Sequence, residues 1–219
     1  MEKTPEMTEQ EKDAAEEANS RFQLICACIM AILAAIGVLA STYNGITGAG
    51  WLNSSQVASK AYSWYQAKSI KETIIKGQRD FALSLKEYLS TNPAQNKSID
   101  SFAAQINKEM NRLHNEKEEI LNGSKNIDKS QWSQDIDGKM GQIIGAKEYD
   151  GMADSYGVSS DFFTYATVYI QLALVIGALA LIVNAQTSRR IFFALMIGLG
   201  AYGTYLTLQG YLLYAALGV

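Results

Sequence analysis

The sequence predicts an all-α membrane protein with three transmembrane helices and an extramembrane helical hairpin, coiled-coil-like, between the first and second. Three observations predict it. Residues 22–59, 162–188 and 191–219 contain no Asp, Glu, Lys or Arg, whereas an amphipathic helix of a soluble domain carries charged residues along one whole face. Each window holds the roughly 20 residues needed to cross a hydrocarbon core of about 30 Å. Between the first two windows the chain turns charged, and its apolar residues recur at steps of three and four.

Residues 1–21 read as an acidic cytoplasmic tail, with seven acids against two lysines over the first 20 positions. Thr8 and Glu11 are spaced like a capping box. The tail has no apolar face with which to lie on lipid. The first span is placed at 22–43. Nine residues from Phe22 to Ala40 are Phe, Leu, Ile or Val, worth about −3 to −5 kcal/mol of insertion free energy at −0.3 to −0.6 each. Val38-Leu39-Ala40 has the small-residue look of a signal cleavage site. The acidic flank and the length of the apolar run favour a retained anchor.

Residues 44–161 form the extramembrane helical segment. Asn44-Gly45-Ile46-Thr47-Gly48-Ala49-Gly50 predicts a break or bend. A long helical pattern follows over 53–90, about 57 Å if continuous. Its apolar positions are Val57, Ala61, Trp64, Ala67, Ile70, Ile74, Phe81, Leu85 and Tyr88. Thr91-Asn92-Pro93-Ala94 predicts a turn, because proline is excluded from helix interiors. From 98 to 121, Ile99, Ala103, Ile106, Met110, Leu113, Lys117 and Ile120 alternate by four and three, the seam of a coiled coil. The two helices are expected to zip along their apolar faces. A third, weaker helical pattern covers 130–156 through Trp132, Ile136, Met140, Ile143 and Ile144, interrupted by Gly138, Gly141, Gly145 and Gly151.

The second span is placed at 162–186 and the third at 191–216. The 187–190 link, Thr-Ser-Arg-Arg, is so short that the two spans must form an antiparallel hairpin. Basic residues in short loops set orientation. Arg21, Arg189 and Arg190 put the N-terminus and the link in the cytoplasm. The middle segment and the C-terminus then face the periplasm.

The spans carry small-residue stripes: Ala27, Ala31 and Ala35 on the first; Ala173, Gly177, Ala180 and Asn184 on the second; Gly200, Gly203, Thr204, Thr207 and Gly210 on the third. Such stripes let helix backbones approach within one chain or between chains. Gly177, Gly203 and Gly210 are therefore interface candidates, with the seam residues Ile99, Ile106, Met110 and Leu113.

Several chemistries are excluded. The net charge of −3 gives no footprint for nucleic acid. His114 is the sole histidine and has no metal-ligand spacing around it. The glycines at 45–50 lack a following Lys-Ser/Thr, and Asp135-Ile136-Asp137-Gly138 lacks the terminal Glu of a calcium loop. No cofactor, metal or catalytic group is expected. Cys26 and Cys28 are two apart on a helix and cannot pair with each other. No acid, base or histidine lies inside a span, against the usual needs of proton-coupled transport.

Ala61-Tyr62-Ser63-Trp64-Tyr65-Gln66-Ala67-Lys68-Ser69-Ile70-Lys71 is more specific than helical periodicity requires. With Glu116-Lys117-Glu118-Glu119-Ile120 and Gln171-Leu172, it resembles the bacterial family known as domain of unknown function four-three-three-seven. The resemblance spans nearly the whole chain and departs in the glycine-rich residues after the first span and over 138–157. It implies three spans in a bacterial inner membrane and brings no catalytic residues. Trp64, Tyr65, Gln66, Lys68 and Lys71 are candidates for a specific contact, since a Trp beside Gln and Lys suits an interface. Burial of Trp64 in the hairpin seam is the competing expectation.

The expected function is a non-enzymatic structural or interaction protein in membrane lipid. It would form a homo-oligomer or act as an accessory subunit with a membrane-complex partner. A small channel or transporter subunit and a ligand-binding sensor are the alternatives.

Overall fold

The computed structural model describes residues 9–88, 93–183 and 185–217. It is built of four long helices: α1 (Glu9–Tyr88), α2 (Pro93–Asn122), α3 (Ala146–Ile182) and α4 (Gln186–Ala216). α1, α3 and α4 are long and apolar enough to cross a membrane. The chain divides into two units, one of residues 1–49 and 155–219, the other of residues 50–154.

In the first unit, segments of α1, α3 and α4 pack through glycine notches. Leu33 of α1 lies against Gly200 of α4. Met30 of α1 and Met196 of α4 fill the space beside Gly177 of α3, and Ile170 of α3 lies against both Gly37 and Gly203. The rings of Tyr43, Phe163, Tyr211 and Tyr214 cluster, with centroids 5.4 to 5.7 Å from Tyr43. Large apolar side chains such as Leu24, Ile32, Val38 and Leu39 point outward, as in a helix bundle solvated by lipid.

Two expectations about this unit change, and a third is narrowed to one of its alternatives. Residues 44–50 do not break α1, which runs through them. Each glycine costs a helix up to about 1 kcal/mol, but backbone bonding continues, and Thr47 is buried with its hydroxyl donating to the Tyr43 carbonyl at 2.9 Å. Residues 187–190 are not a link: they lie in the first turns of α4, and the Arg189 amide already bonds the Ala185 carbonyl. The connection is 183–185, with Asn184 outside the described residues. The stripe Ala27, Ala31 and Ala35 is exposed rather than packed within the chain.

In the second unit, α1 and α2 form the antiparallel hairpin. The Thr91-Asn92 part of the expected turn lies outside the described residues. Pro93 opens α2 instead of preceding it, as its missing N–H permits in a first turn. The α2 seam is the face that packs: Ala103, Ile106, Leu113 and Ile120 are buried, and Ile99, Met110 and Lys117 are half-buried. Its counterpart on α1 is not the apolar stripe but the opposite side, which runs through Ser54, Ala58, Tyr65, Lys68, Glu72, Ile75 and Ala82.

The stretch 130–145 is not α-helical. It holds a short 3-10 turn (Lys129–Gln131) and two two-residue strands, β1 (Asp135–Ile136) and β2 (Lys139–Met140). The strands pair antiparallel, Asp135 with Met140 and Ile136 with Lys139. Asp137 and Gly138 both take positive φ, 52° and 78°, the conformation of a two-residue hairpin turn. Helix resumes only at Ala146.

Candidate functional site

The antiparallel hairpin is tied by charge. The Lys68 ammonium meets the Glu116 carboxylate at 2.5 Å, Lys71 meets Glu109 at 3.1 Å, and Lys86 meets Asp100 at 2.5 Å. Lys117 pairs with Glu72 and sits 5.6 Å from the centre of the Tyr65 ring. These contacts fix the rotation of α1. Its lysine and Glu72 face must meet the α2 acids and Lys117, so the bulky stripe half a turn away points out. Ile70 is 62%, Ile74 57% and Phe81 67% exposed. Leu85 and Tyr88 extend the stripe. Gly77 lies within it, and a Cβ there would meet nothing.

The candidates named from sequence therefore separate. Lys68, Lys71 and Tyr65 hold the hairpin together. Gln66 is exposed. Trp64 is 60% exposed and does not lie in the seam. Ile99, Ile106, Met110 and Leu113 line the α1–α2 contact within one chain. In the first unit Gly177, Gly203 and Gly210 are buried against side chains of the same chain. The Ser159 hydroxyl donates to the Gly210 carbonyl at 2.9 Å. The Thr204 and Thr207 hydroxyls donate to the Gly200 and Gly203 carbonyls.

Trp64 borders a cleft of about 690 Å³ in the second unit. Val57 and Ala61 of α1, Ile120 of α2, and Ile143 and Ile144 supply apolar walls, and Lys60 also lines the cleft, with several neutral polar side chains. The Ile143 wall is held by a polar network. Glu119 is fully buried and accepts the Ser124 hydroxyl at 2.7 Å and the amides of Ser133 and Gln134, each at 2.9 Å. Ser124 in turn exchanges two 2.9 Å bonds with the Ile143 backbone. The Trp132 indole N–H donates to the Ser124 carbonyl at 2.9 Å. Gly123 and Gly145 touch backbone to backbone, and a Cβ on Gly145 would enter the Gly123 peptide. The Glu148 carboxylate then accepts the Gly145 amide at 2.9 Å and starts α3.

Sequence reasoning missed this network. Glu119 lies beside the seam in a run of charges, and nothing in its spacing marks it as buried. The one available signal was Gly123-Ser124 just past a helix end, a common stop.

Glu109 and Tyr62 of the hairpin are shifted from their ordinary values. Hydrogen bonds from Arg112, then from Lys71, hold the Glu109 carboxyl below its usual range. Donation to the Asp150 carboxylate at 2.6 Å, then burial, pushes the Tyr62 phenol up.

No curated protein and no solved structure matches the chain. A family model does match, over residues 22–213. The match takes in all three apolar helices and the whole hairpin between the first and second, and the chain belongs to the family described as Domain of unknown function (DUF4337).

Proposed function

We propose that this protein is a non-enzymatic structural component of the bacterial inner membrane that self-assembles through the outer face of α1. The exposed stripe of Ile70, Ile74, Phe81, Leu85 and Tyr88 carries the reading. Five large apolar side chains stand exposed along one side of the helix, Tyr88 at 89% and Phe81 at 67%. An exposed apolar patch outside the spans is the kind of surface that marks a protein–protein contact. Gly77 supports close approach of a second helix: it weakens α1 by about 1 kcal/mol relative to Ala, and no neighbour in the chain needs the space. In lipid, the exposed Ala27, Ala31 and Ala35 supply a second smooth face on the same helix.

Native mass measurement on detergent-extracted protein tests the proposal. A defined oligomer that falls to monomer in Ile74→Glu or Phe81→Glu supports it. A monomer with no co-purifying partner in the unaltered protein refutes it, and an unrelated subunit at fixed stoichiometry moves it to an accessory role. The N-terminus and Arg189-Arg190 face the cytoplasm in this reading, with residue 110 in the periplasm. A cysteine at position 110 that labels only from the cytoplasmic side inverts it.

A further inference from the structure

We infer that the cleft beside Trp64 is a binding site for a single-chain amphiphile with an anionic head, a long-chain carboxylate. The volume of about 690 Å³ lies within the 300–1,000 Å³ of small-molecule pockets. The walls are mainly apolar, from Val57, Ala61 and Trp64 to Ile120, Ile143 and Ile144, with Ser59, Ser63, Gln142 and Tyr149 as neutral polar groups among them. Apolar surface of this kind takes a hydrocarbon chain and offers little to a polar metabolite.

Charge fixes the head. The other lysines of this part of the hairpin are engaged: Lys68 with Glu116, Lys71 with Glu109, Lys117 with Glu72. Lys60 lines the cleft, is exposed, and has no anionic partner among the described residues. It stands one helical turn before Trp64, on the same side of α1. A carboxylate at Lys60 with its chain lying along Trp64 satisfies both halves of the site. One cation and one apolar wall match a single chain with one anionic group.

The site is built before any ligand arrives. Ile143 is pinned by its two bonds to Ser124, and Ser124 by the buried Glu119 carboxylate. A wall held this way pays little ordering entropy on binding. The inference does not rest on self-assembly, because the outward stripe at Ile70, Ile74 and Phe81 is separate from the cleft lining.

The test uses the full-length protein in nanodiscs and a hexadecanoate analogue carrying a photoreactive diazirine on its chain. Peptides covering 57–64 and 142–149 should label saturably, and free hexadecanoate should compete at least tenfold better than hexadecanol. Lys60→Glu should weaken labelling about tenfold or more, whereas Lys76→Glu, an exposed lysine outside the cleft, should leave it unchanged. Trp64→Glu should abolish it with circular dichroism unaltered. Labelling confined to the spans, equal competition by the alcohol, or indifference to Lys60→Glu overturns the inference. Preferential labelling of the cleft by a photoreactive two-chain phospholipid over the free acid overturns it too. Loss of labelling only on oligomer formation would show that a second copy occupies the cleft, and would likewise overturn it.

Discussion

The carboxylate of Glu119 accepts the hydroxyl of Ser124 at 2.7 Å with no solvent access to the acid. The same group takes two backbone amides from 133 and 134, so one side chain organises a non-helical stretch across the end of α2. Glu119→Ala leaves those donors buried without an acceptor, at a cost of about 2–4 kcal/mol. Ser124→Ala removes one link and costs about 1–2 kcal/mol. Hydrogen exchange checks it: the amides of Ser133, Gln134 and Ile143 should lose protection first, before those of α2.

Glycines in α4 divide into two kinds. A Cβ on Gly203 would run into Ile170 and the Ala166 carbonyl, while one on Gly198 meets nothing. Gly203→Leu should therefore separate α3 from α4 and destabilise the spans by roughly 3 kcal/mol, the upper end of ordinary overpacking. Gly198→Leu should be neutral or slightly stabilising through helix propensity. Thermal unfolding in detergent distinguishes the two, and equal loss in both variants would contradict this packing.

Lys68 and Glu116 are unequally shielded, with side chains 31% and 7% exposed. Removing the lysine leaves the shielded Glu116 carboxylate with only the longer contact to the exposed Arg112, at 3.7 Å. Lys68→Met should cost on the order of 1–3 kcal/mol, between the values for exposed and buried pairs. The double variant with Glu116→Leu should recover much of that loss, since an apolar pair of similar size is tolerated in such positions. A coupling energy near zero in the cycle would mean that the ion pair does not set the rotation of α1.

The three spans and the α2 seam were legible because each rests on a one-dimensional pattern: absence of charge for the spans, and steps of four and three for Ile99 through Ile120. The α1 face was misread from the same kind of pattern. Its apolar periodicity is real, yet Lys68, Lys71, Lys86 and Glu72 determine which side meets α2, and such pairing lies between residues 14 to 48 positions apart. The helix expected over 130–156 is present only from Ala146, and its first part failed for a local reason. Asp137-Gly138 is hairpin turn chemistry, and Gly141, at φ 81°, has the Trp132 ring where a side chain would be. The cleft was not legible at all, because its walls come from α1, α2 and the segment at 142–149.

Acid should loosen the hairpin before it touches the spans. Glu109 bonds Arg112 at 2.6 and 3.0 Å and Lys71 at 3.1 Å, and these bonds hold its carboxyl below the ordinary value. A carboxyl depressed in the folded chain contributes stability that is complete above the unfolded pKa, about 4.3 for glutamate. That contribution is lost as pH falls through the lower, folded value. Stability from this group should thus be flat between pH 8 and 5 and decline below about 4. Tyr62 has the opposite sign: its raised pKa makes the bond to Asp150 complete below about pH 10, with loss as pH climbs through the folded value. Far-ultraviolet dichroism of the detergent-solubilised protein across about pH 2–12 reads both limbs. Glu109→Gln should flatten part of it, and Tyr62→Phe should leave it unchanged while flattening the alkaline limb. An acid limb identical in the Glu109→Gln variant would assign the pH dependence to other carboxylates.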